Sequence, residues 1–349
     1  MQKYILIFLI LLANNSFSQT RIYSNEFLSV GVGARALSMS GSVIAATNDV
    51  TSGYWNPAGL SSIDEKYEIA AMHSEYFAGI AKFDYIGAAY KINDSSSLGL
   101  SILRFGIDDI PNTLELIDEN GNIDYGKIKH FSVADYAMLI SYSKKSKIKG
   151  LKYGANVKLI YRNLGSFANG YGFGFDLGAI YEKNKWHFGA NLRDATSTFN
   201  AWFFDNSQLE EIFNQTGNEL PQNGLELTLP KLLLGVARDF KISQNFGLLT
   251  ELDADFTFDG KRNVLIKSNS VNIDPHFGLE INYKKIVYVR GGIGNFAMIP
   301  DFDKEVLSFQ PNFGIGLRFM NFSIDYALTD IGNQSIAIYS NIFSLSYKF

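Results

Sequence analysis

The segment Ile336 to Phe349 reads IAIYSNIFSLSYKF and alternates large apolar residues with small or polar ones. In an extended strand, successive side chains point to opposite faces. One face then carries Phe343, Leu345, Tyr347 and Phe349, and the other carries Ser344, Ser346 and Lys348. A strand with one apolar face and partners on both edges is typical of a transmembrane β-barrel. The alternative is the edge strand of a soluble sandwich.

Residues 1–18 have the layout of a secretory signal peptide. The basic residue Lys3 precedes an apolar stretch from Tyr4 to Ala13, and small residues lead up to Ser18. The apolar stretch is too short to span a bilayer. We therefore expect export and removal of these residues. Because the sequence contains no cysteine, a disulfide framework and the lipid-bearing cysteine of a lipoprotein are both excluded.

The composition agrees with a barrel in a membrane. The 349 residues include 28 Phe, 19 Tyr and 31 Gly, and the mean hydropathy is -0.01. Such a balance is expected when apolar side chains face lipid and polar ones face the interior. The net charge of -4 and the scattered basic residues argue against nucleic acid as a partner. No Pro-rich or Ser-rich linker divides the chain.

Period-two alternation recurs along the chain and predicts an all-β fold, a 14-stranded antiparallel transmembrane β-barrel. Between Tyr171 and Glu182, for example, large apolar residues alternate with Gly and Asp. Arg318 and Asp325 fall on the inward face of their strands, so we place lipid outside and water or protein inside. The predicted strands are 67–73, 83–92, 97–106, 131–143, 151–163, 170–182, 186–194, 231–240, 244–258, 273–283, 286–293, 309–319, 321–329 and 336–349.

The predicted connections alternate between short and long, as they do in bacterial barrels. Starting from the second, every other connection is short: 93–96, 144–150, 183–185, 241–243, 284–285 and a tight turn at Met320. The remaining connections include the long segments 107–130, 195–230, 259–272 and 294–308. An error of one strand would destroy this alternation, so the connections support an even number of strands near fourteen.

A barrel of this size would leak unless something occupied its lumen. The segment before the first strand, residues 19–66, is irregular and rich in Gly, Ala and Ser, which allows close packing against the wall. We predict that this segment forms an N-terminal plug, or hatch. The predicted organisation is a signal peptide (1–18), a plug (19–66) and a transmembrane barrel (67–349).

The plug segment also carries a family resemblance. It contains GVGARA at 31–36 and YWNPAGL at 54–60, with Met39, Gly41, Ala45, Ala46 and Asp49 between them. This combination resembles the N-terminal signature of the PorV/PorQ family, within the FadL-like group of long-chain fatty-acid transporters. The sequence departs from that signature at Ser38, Ser40 and Gly53, in each case with another small residue. The resemblance implies a barrel of fourteen strands with a hatch, whose Asn-Pro-Ala element leads into the wall.

The candidate plug residues are Arg35, Asp49, Trp55, Asn56 and Pro57. Pro57 fixes its own φ and moves Asn56 out of helical geometry, so a helix that ends near Trp55 turns there. The Asn56 side chain can then bond local backbone groups, and Trp55 supplies an apolar anchor. Taken alone, Asn-Pro is a common turn that says nothing about transport.

No residue pattern indicates catalysis. Gly31, Gly33 and Ala36 have the spacing of a dinucleotide fingerprint, but no strand precedes them and no parallel βαβ unit follows. The histidines occur singly and without metal-ligand spacing, at His73, His130, His187 and His276. There is no cysteine nucleophile and no Gly-x-Ser-x-Gly motif. We therefore expect a protein that is not an enzyme and that uses no cofactor.

An acidic row is the first of two further candidates for function. Glu251, Asp253 and Asp255 share the inner face of one predicted strand. They could hold a cation, or they could form a lumen charge network that holds the plug. In the second case the candidate partners are Arg318, Lys158 and Arg162 on other strands.

The long predicted loop 195–230 is the second candidate. It contains a cluster of aromatic residues, Phe199, Trp202, Phe203 and Phe204. Exposed aromatics in an extracellular loop could bind another protein or an apolar ligand, or they could fold inward as a lid. Farther along the loop, Leu209, Ile212 and Phe213 are spaced as one face of a short helix.

The sequence therefore predicts a barrel of the bacterial cell outer membrane, surrounded by outer-membrane lipid. The resemblance to PorV implies a component of type IX secretion, whose extracellular loops bind secreted cargo by a C-terminal sorting domain and deliver it to other secretion components. The resemblance to the FadL-like group implies instead passive transport of a hydrophobic small ligand. A third alternative is a surface protein that only presents its loops.

Overall fold

The protein folds into a closed antiparallel β-barrel. The computed structural model describes residues 24–117, 121–301, 304–331 and 339–349. Within them, sixteen strands form one sheet, and pairing of β5 with β6 closes it into a ring. The strands are β1 (Tyr67–Tyr76), β2 (Ala81–Asn93), β3 (Ser96–Asn112), β4 (Lys129–Lys145), β5 (Leu151–Leu164), β6 (Ala168–Lys183), β7 (Trp186–Arg193), β8 (Thr198–Phe204), β9 (Gly224–Thr228), β10 (Lys231–Lys241), β11 (Phe246–Thr257), β12 (Asn272–Tyr283), β13 (Val287–Asp301), β14 (Lys304–Phe319), β15 (Phe322–Thr329) and β16 (Ser340–Lys348).

The N-terminal segment, residues 24–66, precedes the first strand and is mostly buried. Its regular elements are helix α1 (Ala34–Ser38), helix α2 (Ser52–Trp55) and 3₁₀ turns at Glu26–Ser29 and Pro57–Ser62. Apolar side chains of the segment, including Val32 and Met39, form one core with Tyr85 and Leu103 of the wall. The segment therefore packs against the inward-facing side chains of the barrel.

Two positions in the wall are each built from two strands. Strands β7 and β8 both pair with β6, and the chain between them leaves the sheet at Asp194 and Ser197, whose φ angles are 55° and 62°. Strands β9 and β10 pair with β8 and β7, and they are separated by Leu229 and Pro230. Proline cannot donate to a ladder, which favours a break at this point. The sixteen strands thus fill fourteen positions, and the predicted fourteen-stranded barrel is confirmed.

The predicted alternation of connections is present only in part, because the connections at 77–80 and 165–167 are as short as the turns at the other end. The predicted short connections all lie at one end of the barrel, which we call the short-turn rim, together with the start of β1 and the end of β16. Two of the predicted long loops are wrong. Segment 195–230 contains β8, helix α3 (Glu210–Thr216) and β9, and segment 294–308 forms paired extensions of β13 and β14 that reach Asp301 and Lys304. The predicted signal peptide and residues 336–338 of the predicted last strand lie outside the described residues.

Apolar side chains form the outer surface of the barrel. On β16, the outward Phe343 is 57% exposed, whereas the inward Ile342 is 0% exposed. The same alternation continues around the wall, so the outside offers a band of Phe, Leu, Ile and Tyr to lipid. None of the helices among the described residues has both the length and the apolar character that a membrane crossing requires.

Candidate functional site

Asn56 joins the N-terminal segment to the wall. Its side-chain nitrogen donates to the carbonyl oxygens of Ile44, Ala179 and Ala190, at 2.9, 3.2 and 3.3 Å. Its side-chain oxygen accepts a hydrogen bond from the backbone N–H of Ala58 at 3.2 Å. Because Ala179 belongs to β6 and Ala190 to β7, this one side chain connects the Asn-Pro turn to two neighbouring strands.

Glycines in the wall let the backbone of the segment come into direct contact. A Cβ atom added at Gly154 would lie 2.5 Å from the carbonyl carbon of Pro57. A Cβ atom added at Gly292 would lie 2.3 Å from the carbonyl carbon of Met39. Real side chains do not tolerate such distances, so these wall positions require glycine. The segment and the wall are therefore built as complementary backbone surfaces.

Trp55 anchors the core of the segment. Its indole N–H donates to the carbonyl oxygen of Val32 at 2.8 Å. Its ring lies over Gly31 and Gly41, where added Cβ atoms would be 3.1 and 3.3 Å from ring carbons. Both glycines also have positive φ, at 94° and 77°. The glycine-rich part of the sequence motif is thus explained by the turns it makes beneath this ring.

Glu251 and Asp253 bind backbone N–H groups of the N-terminal segment. The Asp253 carboxylate accepts hydrogen bonds from Val43 and Ile44 at 2.9 and 3.0 Å, and Glu251 accepts one from Ala45 at 2.6 Å. Both carboxylates are buried. The row therefore contacts the N-terminal segment, but through backbone N–H groups and not through the basic side chains predicted from the sequence. Within the described ranges, no group of three or more acidic or histidine side chains is arranged to hold a metal ion.

Asp255, the third residue of the row, does not take part in the contacts that Glu251 and Asp253 make with the N-terminal segment. Its carboxylate is 3.8 Å from Nε2 of His276, at the edge of a cavity in the lumen. The pairing of the row with basic residues does not agree with the structure. Arg318 donates to the Tyr288 hydroxyl at 3.0 Å, Lys158 is buried between Asp176 and Asp194, and Arg162 pairs with Asp135 at 2.8 Å. Lys158 and Arg162 find acids closer to them in the barrel, and Arg318 finds a tyrosine hydroxyl, which the sequence alone does not reveal.

Arg35 is the centre of a buried ion-pair network. Its guanidinium is 3.0 Å from Glu280 and 3.8 Å from Asp49. Glu280 also binds Arg290 at 2.6 Å, and Arg290 binds Asp325 at 2.6 Å. Burial lowers the pKa of Arg35, but the carboxylates of Glu280 and Asp49 outweigh it and hold this pKa above its ordinary value. Helix α1 is thus tied to β12 by charge, and no local sequence pattern indicates the part played by Glu280 and Arg290.

The aromatic cluster at 199–204 divides between the two faces of the wall. Trp202 points inward and is 8% exposed, with the Arg162 guanidinium 4.9 Å from its ring centre. Phe203 points outward and is 53% exposed. Phe199 stacks on Phe173 of β6 at 5.8 Å, and the Phe204 ring lies 6.2 Å from that of Trp202. The cluster is part of the barrel wall and neither a free loop nor a lid.

A cavity of about 350 Å³ lies between the N-terminal segment and the barrel wall, toward the end opposite the short-turn rim. Its apolar lining includes Leu37, Trp55, Tyr76, Phe105 and Leu233. Its polar lining includes Arg193, Lys231, Asp255, His276 and Asn312. A pocket with an apolar body and a few polar groups is suited to a small hydrophobic or amphipathic molecule.

Comparison with solved structures finds barrels of the same fold. The Pseudomonas putida toluene transporter TodX has a TM-score of 0.57 and 14% identity, over 91% of this chain and 98% of TodX. The Ralstonia pickettii toluene transporter TbuX has a TM-score of 0.55 and 13% identity, over 94% of this chain and 100% of TbuX. A Pseudomonas aeruginosa FadL homologue has a TM-score of 0.53 and 12% identity, over 91% and 98%. At these identities the likeness concerns the fold.

The chain is therefore an outer-membrane β-barrel with the FadL-like fold. No family model matches it, and no curated protein matches it significantly. The structures support the FadL-like part of the sequence resemblance and give no support to the PorV/PorQ assignment. They are named as transporters, which agrees with a protein that is not an enzyme.

Proposed function

We propose that the protein transports small hydrophobic or amphipathic molecules across the outer membrane, with the N-terminal segment as its plug. The cavity above this segment carries the proposal. It lies between segment and wall, where a ligand entering from the long connections would stop, and Leu37, Trp55 and Phe105 give it an apolar body. The likeness to barrels named as toluene transporters supports the same class of ligand.

A second, small cavity of about 40 Å³ lies nearer the short-turn rim. Its lining includes Arg35, Asp49, Glu68 and Met72, none of which lines the larger cavity. We infer that the ion-pair network around Arg35 separates the two cavities. On this proposal, passage requires α1 to move away from Glu280. Asn56 and Pro57 keep the rest of the plug attached to the wall during that movement.

Uptake by intact cells tests the proposal. A host without its own channel of this fold is supplied with a labelled aromatic hydrocarbon or a labelled fatty acid, because a lipopolysaccharide-covered membrane resists both. The protein is expected to raise uptake of at least one of them. The double variant Leu37→Trp/Leu233→Trp fills the cavity and is expected to reduce uptake to the level of the host. The control Leu234→Trp, on the outward face of the same strand, is expected to transport normally. Uptake unchanged by the wild-type protein would refute transport.

The type IX secretion role is the second candidate. The observation that favours it is the hairpin of β8 and β9 at the end with the long connections, where Phe203 and Leu225 are 53% and 66% exposed. Such a surface is suited to binding another protein. The test is co-purification from detergent together with a deletion strain. Normal secretion by that strain, with neither a sorting-domain protein nor a secretion component recovered, would exclude this role.

A further inference from the structure

Exposed lysines are concentrated at the short-turn rim. They lie on the turns and strand ends there: Lys66, Lys144, Lys145, Lys147, Lys149, Lys183, Lys185, Lys241, Lys284 and Lys285. The exposed acidic residues among the described positions of this rim are fewer: Asp64, Glu65, Asp94 and Asp239. The rim is therefore strongly basic, although the whole chain has a net charge of -4.

The opposite end of the barrel has the reverse character. Exposed acids there include Glu26, Asp109, Glu115, Asp124, Asp205, Glu210, Glu219 and Glu305. Exposed lysines there include Lys127, Lys129, Lys261, Lys267 and Lys304. The molecule is thus polarised along the barrel axis. A uniform need for solubility would not produce this separation of charge.

Several rim lysines occupy backbone positions that do not favour lysine. Lys284 and Lys285 are the two central residues of the β12–β13 turn, with φ of 52° and 57° and a hydrogen bond from Ile286 N–H to Tyr283 O. Lys185 closes the β6–β7 turn with φ of 69°. Turns of this kind favour Asn and Gly, because a side chain in the left-handed region is strained. The presence of lysine at these strained positions points to a role for its charge.

One of these lysines, Lys284, lies beside aromatic side chains of the rim. Lys284 Nζ is 5.4 Å from the ring centre of Tyr283, which in turn lies 5.0 Å from the ring of Phe246. Aromatic girdles mark the level where barrel and lipid headgroups meet. Lys185, Lys241, Lys284 and Lys285 also border a cleft of about 660 Å³ between three adjacent turns. The lining of this cleft also includes Asp239, so the cleft carries four lysines and one carboxylate.

We propose that the short-turn rim binds the phosphate headgroups of anionic phospholipids in the membrane leaflet that surrounds it. The lysine stems lie along the aromatic girdle, and the ammonium groups extend to the phosphates. The cleft bordered by Lys185, Lys241, Lys284 and Lys285 is the strongest of these sites. This role is independent of what the lumen transports.

Reconstitution in lipid nanodiscs tests this inference. The melting temperature of the barrel, followed by circular dichroism, is compared in discs of phosphatidylcholine alone and with phosphatidylglycerol added. We expect phosphatidylglycerol to raise the melting temperature, and added salt to reduce the rise. The variant K185Q/K241Q/K284Q/K285Q is expected to lose most of the rise. The corresponding Lys→Arg variant keeps the charges and is expected to retain it.

The control variant K127Q/K129Q/K261Q/K267Q removes the same number of positive charges at the opposite end. We expect it to respond to phosphatidylglycerol as the wild type does. If phosphatidylglycerol changed the melting temperature of the two glutamine variants equally, the inference would be overturned. A protein would then be the better candidate for binding the basic rim. The inference would also be overturned if inorganic phosphate, added to phosphatidylcholine discs, raised the melting temperature as much as phosphatidylglycerol does. The rim would then bind free phosphate and not a lipid headgroup. Loss of uptake in cells has no bearing on either result.

Discussion

The two sides of the N-terminal segment are held by different kinds of contact. Around Asn56, neutral hydrogen bonds and backbone packed on Gly154 fix the segment to β5, β6 and β7. Around Arg35, the backbone of Met39 also packs on Gly292, but here charged groups provide the tie between helix α1 and Glu280 on β12. Neutral close packing leaves no room for movement, whereas an ion pair can be replaced by water when a cavity opens beside it. The comparison suggests a fixed side and a releasable side.

The largest effect is expected from Asn56→Ala. The substitution removes this donor from the carbonyl oxygens of Ile44, Ala179 and Ala190, and a buried acceptor left without a partner costs about 1–3 kcal/mol. We expect residues 52–62 to lose protection in hydrogen exchange by mass spectrometry. The exposed Asn245→Ala is the matched control and should leave the segment protected. Unchanged protection in Asn56→Ala would show that Asn56 does not fix this side.

A smaller and more local effect is expected from Arg35→Gln. Glu280 keeps Arg290 as a partner, so only part of the network is lost. We expect local opening of α1 to become easier by about 1–2 kcal/mol, which is roughly 5- to 30-fold faster exchange at Ala34–Ser38. Residues 52–62 should exchange as before. Arg238→Gln, which replaces an exposed arginine of β10, is the control. If both sides of the segment loosen together, the distinction between them is wrong.

The smallest effect concerns the start of the segment, at Glu26. Arg262 binds Glu26 at 3.1 Å and also binds Asp259 in the same connection. Burial raises the pKa of Asp259, but the hydrogen bond and charge of Arg262 outweigh it and hold this pKa below its ordinary value. The stabilisation is therefore present above the ordinary aspartate pKa of about 3.9 and is lost as pH falls through the lower folded value.

Hydrogen exchange at acidic pH, corrected for intrinsic rates, measures this effect. We expect Glu26–Ser29 and the connection 258–271 to lose protection on acidification before α1 and α2 do. In Arg262→Gln the connection should already be less protected at neutral pH and should respond less to acid. An identical acid response in the variant would show that the Asp259 and Arg262 pair does not hold this edge.

The barrel could be predicted because the sequence features that specify it are local. Alternation of period two and the positions of short turns require no knowledge of distant partners. The prediction failed at 195–230 because Phe199, Trp202, Phe203 and Phe204 place aromatics on both faces and so hide the alternation. It failed again at 294–308, where the strands continue past the predicted ends of the wall.

The candidate site could be predicted only in part. Asn-Pro identified the turn at Asn56, because its effect on the backbone is local. The inward face of Glu251 and Asp253 also followed from alternation. Their actual partners, the backbone N–H groups of Val43 to Ala45, lie about two hundred positions earlier in the chain, and no local pattern reports such a contact. Arg35 and Glu280 are even farther apart, at 245 positions.

Pairing of β1 with β16 has a consequence for how the molecule is made. The cylinder has a seam between its earliest and its latest strand, so the ring stays open until the last strand has been delivered. Joining partners so far apart along the chain is slow, since a long loop must be closed first. Trp55 and its neighbours must therefore enter the interior before β1 pairs with β16, because the closed barrel then encloses them.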